Sequence, residues 1–176
     1  MSETAQPAFF VDPNSDPVVI RIEGRASFLN SSSLHDFFTE ALRMGKRRFV
    51  LDFLHCSTMD STFLGVLAGA ALEVRKLTPP GSLIISRVGP RNLELVRNLG
   101  LHRLLTLDTG ENLPAATVGS PAATGDQALP TGAILNEVES ARYVLAAHEN
   151  LVAVDENNRT KFQDVLTFLK NRISEG

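Results

Sequence analysis

The sequence predicts an α/β domain with helices packed on a small, mixed but mostly parallel sheet, followed by a linker and a pair of C-terminal helices. Three observations lead there. Across residues 8–108, short β-branched or apolar runs alternate with helical stripes in the order β, α, β, α, β, α, and short connections of this kind favour parallel neighbours joined by helical crossovers. The composition then breaks: 17 of the 24 residues from 109 to 132 are Pro, Gly, Ala, Ser or Thr, the signature of a flexible linker. Residues 133–176 return to amphipathic patterning and are expected to form a C-terminal helical arm.

The elements follow in chain order. Val18 to Ile22, between Pro17 and Gly24, is a β-branched run that fits a strand. Asn30 to Ser33 supply N-cap candidates for a helix whose apolar face is Leu34, Phe37, Phe38, Ala41 and Leu42, and Gly45 ends it. Phe49 to Leu54 is too short and too apolar for anything but a central strand, expected to be covered by helices on both faces. After Ser57, Thr58, Met59 and Asp60, a second helix from about Ser61 to Leu77 carries Leu64, Leu67, Ala71 and Val74 on one stripe, and Pro79, Pro80 and Gly81 close it. Leu83 to Ser86 reads as a strand, Pro90 to Leu99 as a helix with proline first and Gly100 just beyond its end, and Leu104 to Leu107 as an edge strand. A sheet of four or five strands is expected. In the arm, Ile134, Val138, Ala141, Val144 and Leu145 form one stripe and Phe162, Val165, Leu166, Leu169 and Ile173 another, with a polar break at Asp155 to Arg159. Helices this short are marginal alone, so they should dock on the domain, on each other, or on a second copy in a homodimer.

The 176-residue length suits one domain with an appendage and a core that needs neither disulfide nor metal. With 17 Lys and Arg against 20 Asp and Glu, the net charge of −3 gives no general attraction to nucleic acid or anionic membrane. A single cysteine points to a reducing compartment. MSETAQPAFF lacks a basic start and a long apolar stretch, so no signal peptide is expected, and the charge-free run from Ser61 to Leu72 falls short of the roughly 18 residues of a membrane span.

Chemistry-bearing residues are sparse. His35, His55, His102 and His148 are isolated, without metal-ligand spacing, so no metal and no cofactor is expected. Cys56 beside His55 suggests a nucleophile and base, but strand neighbours point to opposite faces, which favours a structural cysteine. Lys46, Arg47 and Arg48 complement the negative end of the preceding helix, or contact a partner or phosphate. Met59, Asp60, Ser61 and Thr62 lie where a central strand ends and a helix begins, the place where open α/β sheets carry functional groups. Unpaired N–H groups there are met by Asp60 or Ser61 as a helix cap, or by a phosphate on the Ser61 hydroxyl, and the two roles are compatible. Gly65 and Gly69 share a helix face and mark a close approach, by strands or by a partner. No acid, base and nucleophile converge, and an enzyme is not expected.

The stretch Phe49 to Leu67, FVLDFLHCSTMDSTFLGVL, resembles the STAS domain of bacterial anti-sigma factor antagonists, in which a strand ending in an Asp-Ser motif leads into a helix. Gly24 fits the family's glycine at the end of the early strand, and the resemblance covers roughly residues 8–108. It implies a STAS-like fold and a cytoplasmic, non-enzymatic regulator of transcription that binds an anti-sigma factor acting as a serine kinase. Asp60 matches the motif aspartate, Ser61 the phosphorylated serine, and Thr62 a second, less favoured acceptor; a PP2C-like phosphatase would reverse the modification. Phe63 stands where the family generally has glycine, and its ring is expected to alter the docking surface. Partner binding is thereby expected at Asp60, Ser61, Thr62, Phe63, Gly65 and Gly69, with the Ser61 hydroxyl exposed. Two alternatives stay open: a constitutive STAS interaction subunit of a signalling or lipid-transport complex, and a module that binds a small molecule or nucleotide at the helix start.

Overall fold

In a computed structural model, which describes residues 8–108, 127–130 and 135–175, the apolar runs pair into one sheet. Its strands are β1 (Phe9–Asp12), β2 (Val18–Ala26), β3 (Arg48–Met59), β4 (Ser82–Ser86), β5 (Thr106–Asp108) and β6 (Gln127–Ala128). The spatial order is β5-β4-β3-β2-β1-β6. Strands β2 to β5 run parallel to their neighbours, while β1 pairs antiparallel with β2 and with β6, so the sheet is mixed and mostly parallel. Helices α1 (Ser31–Arg43), α2 (Ser61–Lys76) and α3 (Pro90–Asn98) are the crossovers. Helix α1 ends in a Schellman arrangement: Lys46 N–H donates to Ala41 O and Gly45 N–H to Leu42 O, with Gly45 at φ +89°.

One face of the sheet carries Phe9, Ile20, Ile22, Phe49, Leu51, Phe53 and Ile85 into a core shared with Leu34 and Phe38 of α1 and Phe63, Leu64 and Leu67 of α2. The other face holds a separate small cluster of Val19, Val50 and Ile84, with no helix residue in it. Among the described residues, therefore, the expectation that helices cover both faces of the central strand is corrected. On the second face Val50 is fully buried beside a different kind of neighbour, the Asp52 carboxylate, which accepts two hydrogen bonds from the Arg87 guanidinium and one from Leu54 N–H.

Four further expectations change. Strands β1 and β6 were not foreseen; β1 lies in the short FFVD run after the N-terminal segment, and β6 lies within the expected linker. The rest of residues 109–132 is largely outside the described residues, as is Ile134. Strand β3 runs on to Met59, so His55 and Cys56 are strand residues. At the sheet edge Leu101–Arg103 is a 3-10 turn and the strand begins later, at Thr106. The arm has three helices rather than two, α4 (Glu137–Val154), the single turn α5 (Asn158–Lys161) and α6 (Gln163–Glu175), because Asp155 ends α4 before Asn158 starts the next turn. The arm docks: α4 packs along α2, and α6 packs on α4.

Candidate functional site

Asp60 closes β3 and opens α2. Its extended backbone (φ −110°, ψ 174°) makes it the N-cap, and Oδ1 accepts the Phe63 N–H at 2.9 Å. The second oxygen reaches across to the β2–α1 loop, where Oδ2 accepts the Phe28 N–H at 2.7 Å. Both carboxylate oxygens are thus spent on backbone donors, and one side chain fixes a loop and a helix start to each other. That loop carries Phe28 and Leu29 at the surface, Leu29 being 80% exposed.

Ser61, the first residue of α2, is half-buried and not a cap. Its Oγ lies 2.9 Å from Nε2 of His148 on α4, and Nδ1 of the same ring lies 2.7 Å from the Val144 carbonyl. A carbonyl only accepts, so Nδ1 carries a proton, and in the neutral ring Nε2 then accepts from the Ser61 hydroxyl. The ring is buried and meets Phe162 edge-on. The third member of this chain is a carbonyl rather than a carboxylate, so it orients the imidazole without a charge to stabilise an imidazolium.

The rest of α4 follows the same face. Asn150 Nδ2 donates to the Gly65 carbonyl at 3.2 Å, and the Tyr143 hydroxyl lies 2.9 Å from Ser31 Oγ at the start of α1. Burial pushes the Tyr143 phenol up to about 12, with the Ser31 hydrogen bond opposing it. Helices α2 and α4 approach so closely that a Cβ at Gly65 would fall 2.2 Å from the Ala147 carbonyl oxygen, and one at Gly69 2.5 Å from Asn150 Nδ2. The two glycines therefore face α4, and the reading in which they pack against strands is corrected.

Of the partner-binding residues expected from the sequence, the structure brings Ser61, Gly65 and Gly69 together under α4 and leaves Asp60 beside them as a clamp. Thr62 and Phe63 do not belong to that surface. Thr62 is buried, and Phe63 is fully buried, stacked on Phe9 at 5.9 Å and edge-on to Phe53 at 6.3 Å. Phe63 thus fills the core, because the third position of α2 points at the sheet. The Ser61 hydroxyl, expected to be exposed, belongs to a half-buried residue and is hydrogen-bonded to His148 on α4.

The remaining candidates have structural roles. The Cys56 thiol is buried and pushed up to about 11 by that burial, which leaves it protonated and unreactive, while His55 is exposed. Arg48 pairs with Asp16, Arg47 donates to the Thr78 carbonyl and Lys46 to the Ser15 carbonyl, tying loops at the foot of the sheet. Among the described residues no group of acidic, histidine or cysteine side chains is arranged to hold a metal ion. No helix among them is long and apolar enough to cross a membrane.

Sequence reasoning missed His148, Tyr143 and Asn150, which lie more than eighty residues from their partners along the chain. The one signal for them was the Gly65 and Gly69 spacing. Beside Ser61 a cavity of about 560 Å³ is lined by Met59, Leu64, Leu95, Leu99 and Phe162, with Lys161 at its edge donating to the Asn98 carbonyl.

A family model described as "Mlab, STAS domain" matches residues 9–106. Solved structures that resemble the chain include two of SpoIIAA. The anti-sigma factor antagonist SpoIIAA in its unphosphorylated form is 18% identical with a TM-score of 0.44, covering 60% of this chain and 84% of its own. The Bacillus cell fate determinant SpoIIAA in the phosphorylated form is 23% identical with a TM-score of 0.49, covering 59% and 94%.

Proposed function

The chain belongs to the STAS domain family through residues 9–106, and from that membership we propose that it is a cytoplasmic, non-enzymatic regulator of the anti-sigma factor antagonist kind, switched by a phosphate on Ser61. Its partner in this reading is an anti-sigma factor that is also a serine kinase, and a PP2C-like phosphatase resets it. The observation that carries the reading is the Asp60 and Ser61 pair at the carboxyl end of β3, where the strand hands over to α2 and the Asp60 clamp holds the helix start rigid. A phosphate there adds about −1.5 to −2 charges beside open helix N–H groups, and a partner contact that must desolvate would lose affinity for it. Phosphorylation of Ser61 breaks its hydrogen bond to His148 on α4. Exposed Val165 and Phe168 on α6 give a second copy an apolar contact, and sedimentation of the purified protein tests that dimer.

The Ser61 to His148 bond also favours a second reading, a constitutive interaction subunit of a signalling or lipid-transport complex, because it gives the hydroxyl a structural task without any phosphate. Affinity purification from native cells with mass spectrometry of partners and phosphosites separates the two. The switch predicts phosphate at Ser61, weaker capture of the co-purifying kinase by Ser61→Asp and retained capture by Ser61→Ala. Equal capture by all three forms, with Ser61 unmodified, would leave the constitutive subunit.

A further inference from the structure

The groove that Gly65 and Gly69 open on α2 is already filled by a helix of the same chain, and we infer that it is a helix-receiving surface which α4 occupies at rest and a partner helix enters when α4 leaves. This rests on the reading of the β3 to α2 junction as the docking site. Three features of the seam separate it from the core. Its hydrogen bonds, Tyr143 to Ser31, His148 to Ser61 and Asn150 to the Gly65 carbonyl, join groups that water satisfies when the helices part. Its apolar content is modest: of the α4 side chains, buried Leu151 and half-buried Val154 join the main core, Val152 is buried outside it, and Ala141 and Ala147 bring little area. Helix α4 is also capped at its start, where Asn136 and Glu139 form a reciprocal capping box, so its first turn draws no hydrogen bond from α2.

The seated helix defines the kind of partner that fits. A small residue must cross over Gly65, as Ala147 does, because a Cβ on Gly65 itself would clash. Three residues on, a side-chain donor meets the Gly65 carbonyl, and one residue on, an acceptor meets the Ser61 hydroxyl, in the manner of Asn150 and His148. An amphipathic helix with that pattern is the expected ligand. Exposed Phe28 and Leu29 stand beside this groove, held there by Asp60, and offer such a helix a first apolar contact while α4 is still in place.

The probe is a fluorescein-labelled peptide of residues 135–156, titrated by anisotropy into the full-length protein and into full-length Ala147→Arg, whose long side chain cannot sit against Gly65. The variant should bind the peptide at least ten-fold more tightly than wild type, and a peptide carrying the same Ala147→Arg change should bind neither. Absence of binding to a variant whose β2 and β3 amides stay protected would overturn the surface. Hydrogen exchange on the unmodified protein gives an answer that needs no variant: residues 137–154 should exchange together and faster than β2 and β3, and equal protection of α4 and the central strands would also overturn it. A missing phosphate on Ser61 removes the switch and leaves these outcomes as they are, so the two ideas fail separately.

Discussion

The Ser61 hydroxyl lies 2.9 Å from Nε2 of His148, a bond between residues 87 apart in sequence that ties the first turn of α2 to the middle of α4. Because Asp60 and not Ser61 caps α2, the cost of Ser61→Ala comes from that bond. Removing the donor strands a buried acceptor on His148, and a loss of about 1–3 kcal/mol is expected in urea unfolding. His148→Ala on top of Ser61→Ala should add less than it does alone, and strict additivity of the two would show that they do not interact.

Asp60 should be the costlier residue. Asp60→Ala removes the cap and the tether to the β2–α1 loop at once. A cap is worth about 0.5–2 kcal/mol and a charge-assisted bond about 1.5–3 kcal/mol, so Asp60→Ala should lose about 2–5 kcal/mol. Asp60→Asn keeps one acceptor oxygen and should lose less. Equal denaturation midpoints for the two variants would contradict the two-oxygen clamp.

Phe63→Gly tests whether the ring belongs to the core or to a surface. The structure buries it completely between Phe9 and Phe53, and deletion of a buried phenylalanine costs about 3–5 kcal/mol. A large fall in Tm is expected. A variant as stable as wild type with altered partner affinity would return Phe63 to the docking surface.

Alkaline pH should destabilise the fold. The Cys56 thiol, ordinarily near 9.0, is raised to about 11 by burial, and the Tyr143 phenol, ordinarily near 10.0, is raised to about 12. Above pH 9 the unfolded chain has released the thiol proton that the folded chain still holds, and above pH 10 the phenol proton as well. The unfolded state then binds fewer protons, so stability present at neutral pH declines as pH rises through these windows. Thermal unfolding at pH 8, 9, 10 and 11 should show the decline, and Cys56→Ala should flatten its first part. At pH 8 the thiol of the folded protein should resist alkylation.

The strand and helix order across residues 18–98 was legible because each element carried its own period and its own stop signal, such as Gly45 after α1 and Pro79 after α2. Strand β1 was not, since FFVD is four residues long and takes its pairing from β2. The Asp60 and Ser61 junction was visible as a position between a strand and a helix, and the two glycines announced a close approach without saying by what. Phe63 was misplaced because helical periodicity assigns a face only after the direction of the helix against the sheet is known. His148 could not be found, for nothing local links a histidine on a C-terminal stripe to a serine 87 residues earlier.

Strand β6 pairs with β1 at the sheet edge and so anchors the segment that leads into α4. Only the eight residues 129–136 separate β6 from α4, and at about 3.3–3.6 Å each they reach at most about 29 Å. A released α4 therefore stays close to the groove at an effective concentration in the millimolar range typical of short tethers. An outside helix present at about 1 μM must bind roughly a thousand times more tightly than α4 to hold the groove half the time. Selectivity follows from that arithmetic: weak look-alike helices are rejected by a competitor the protein never has to find.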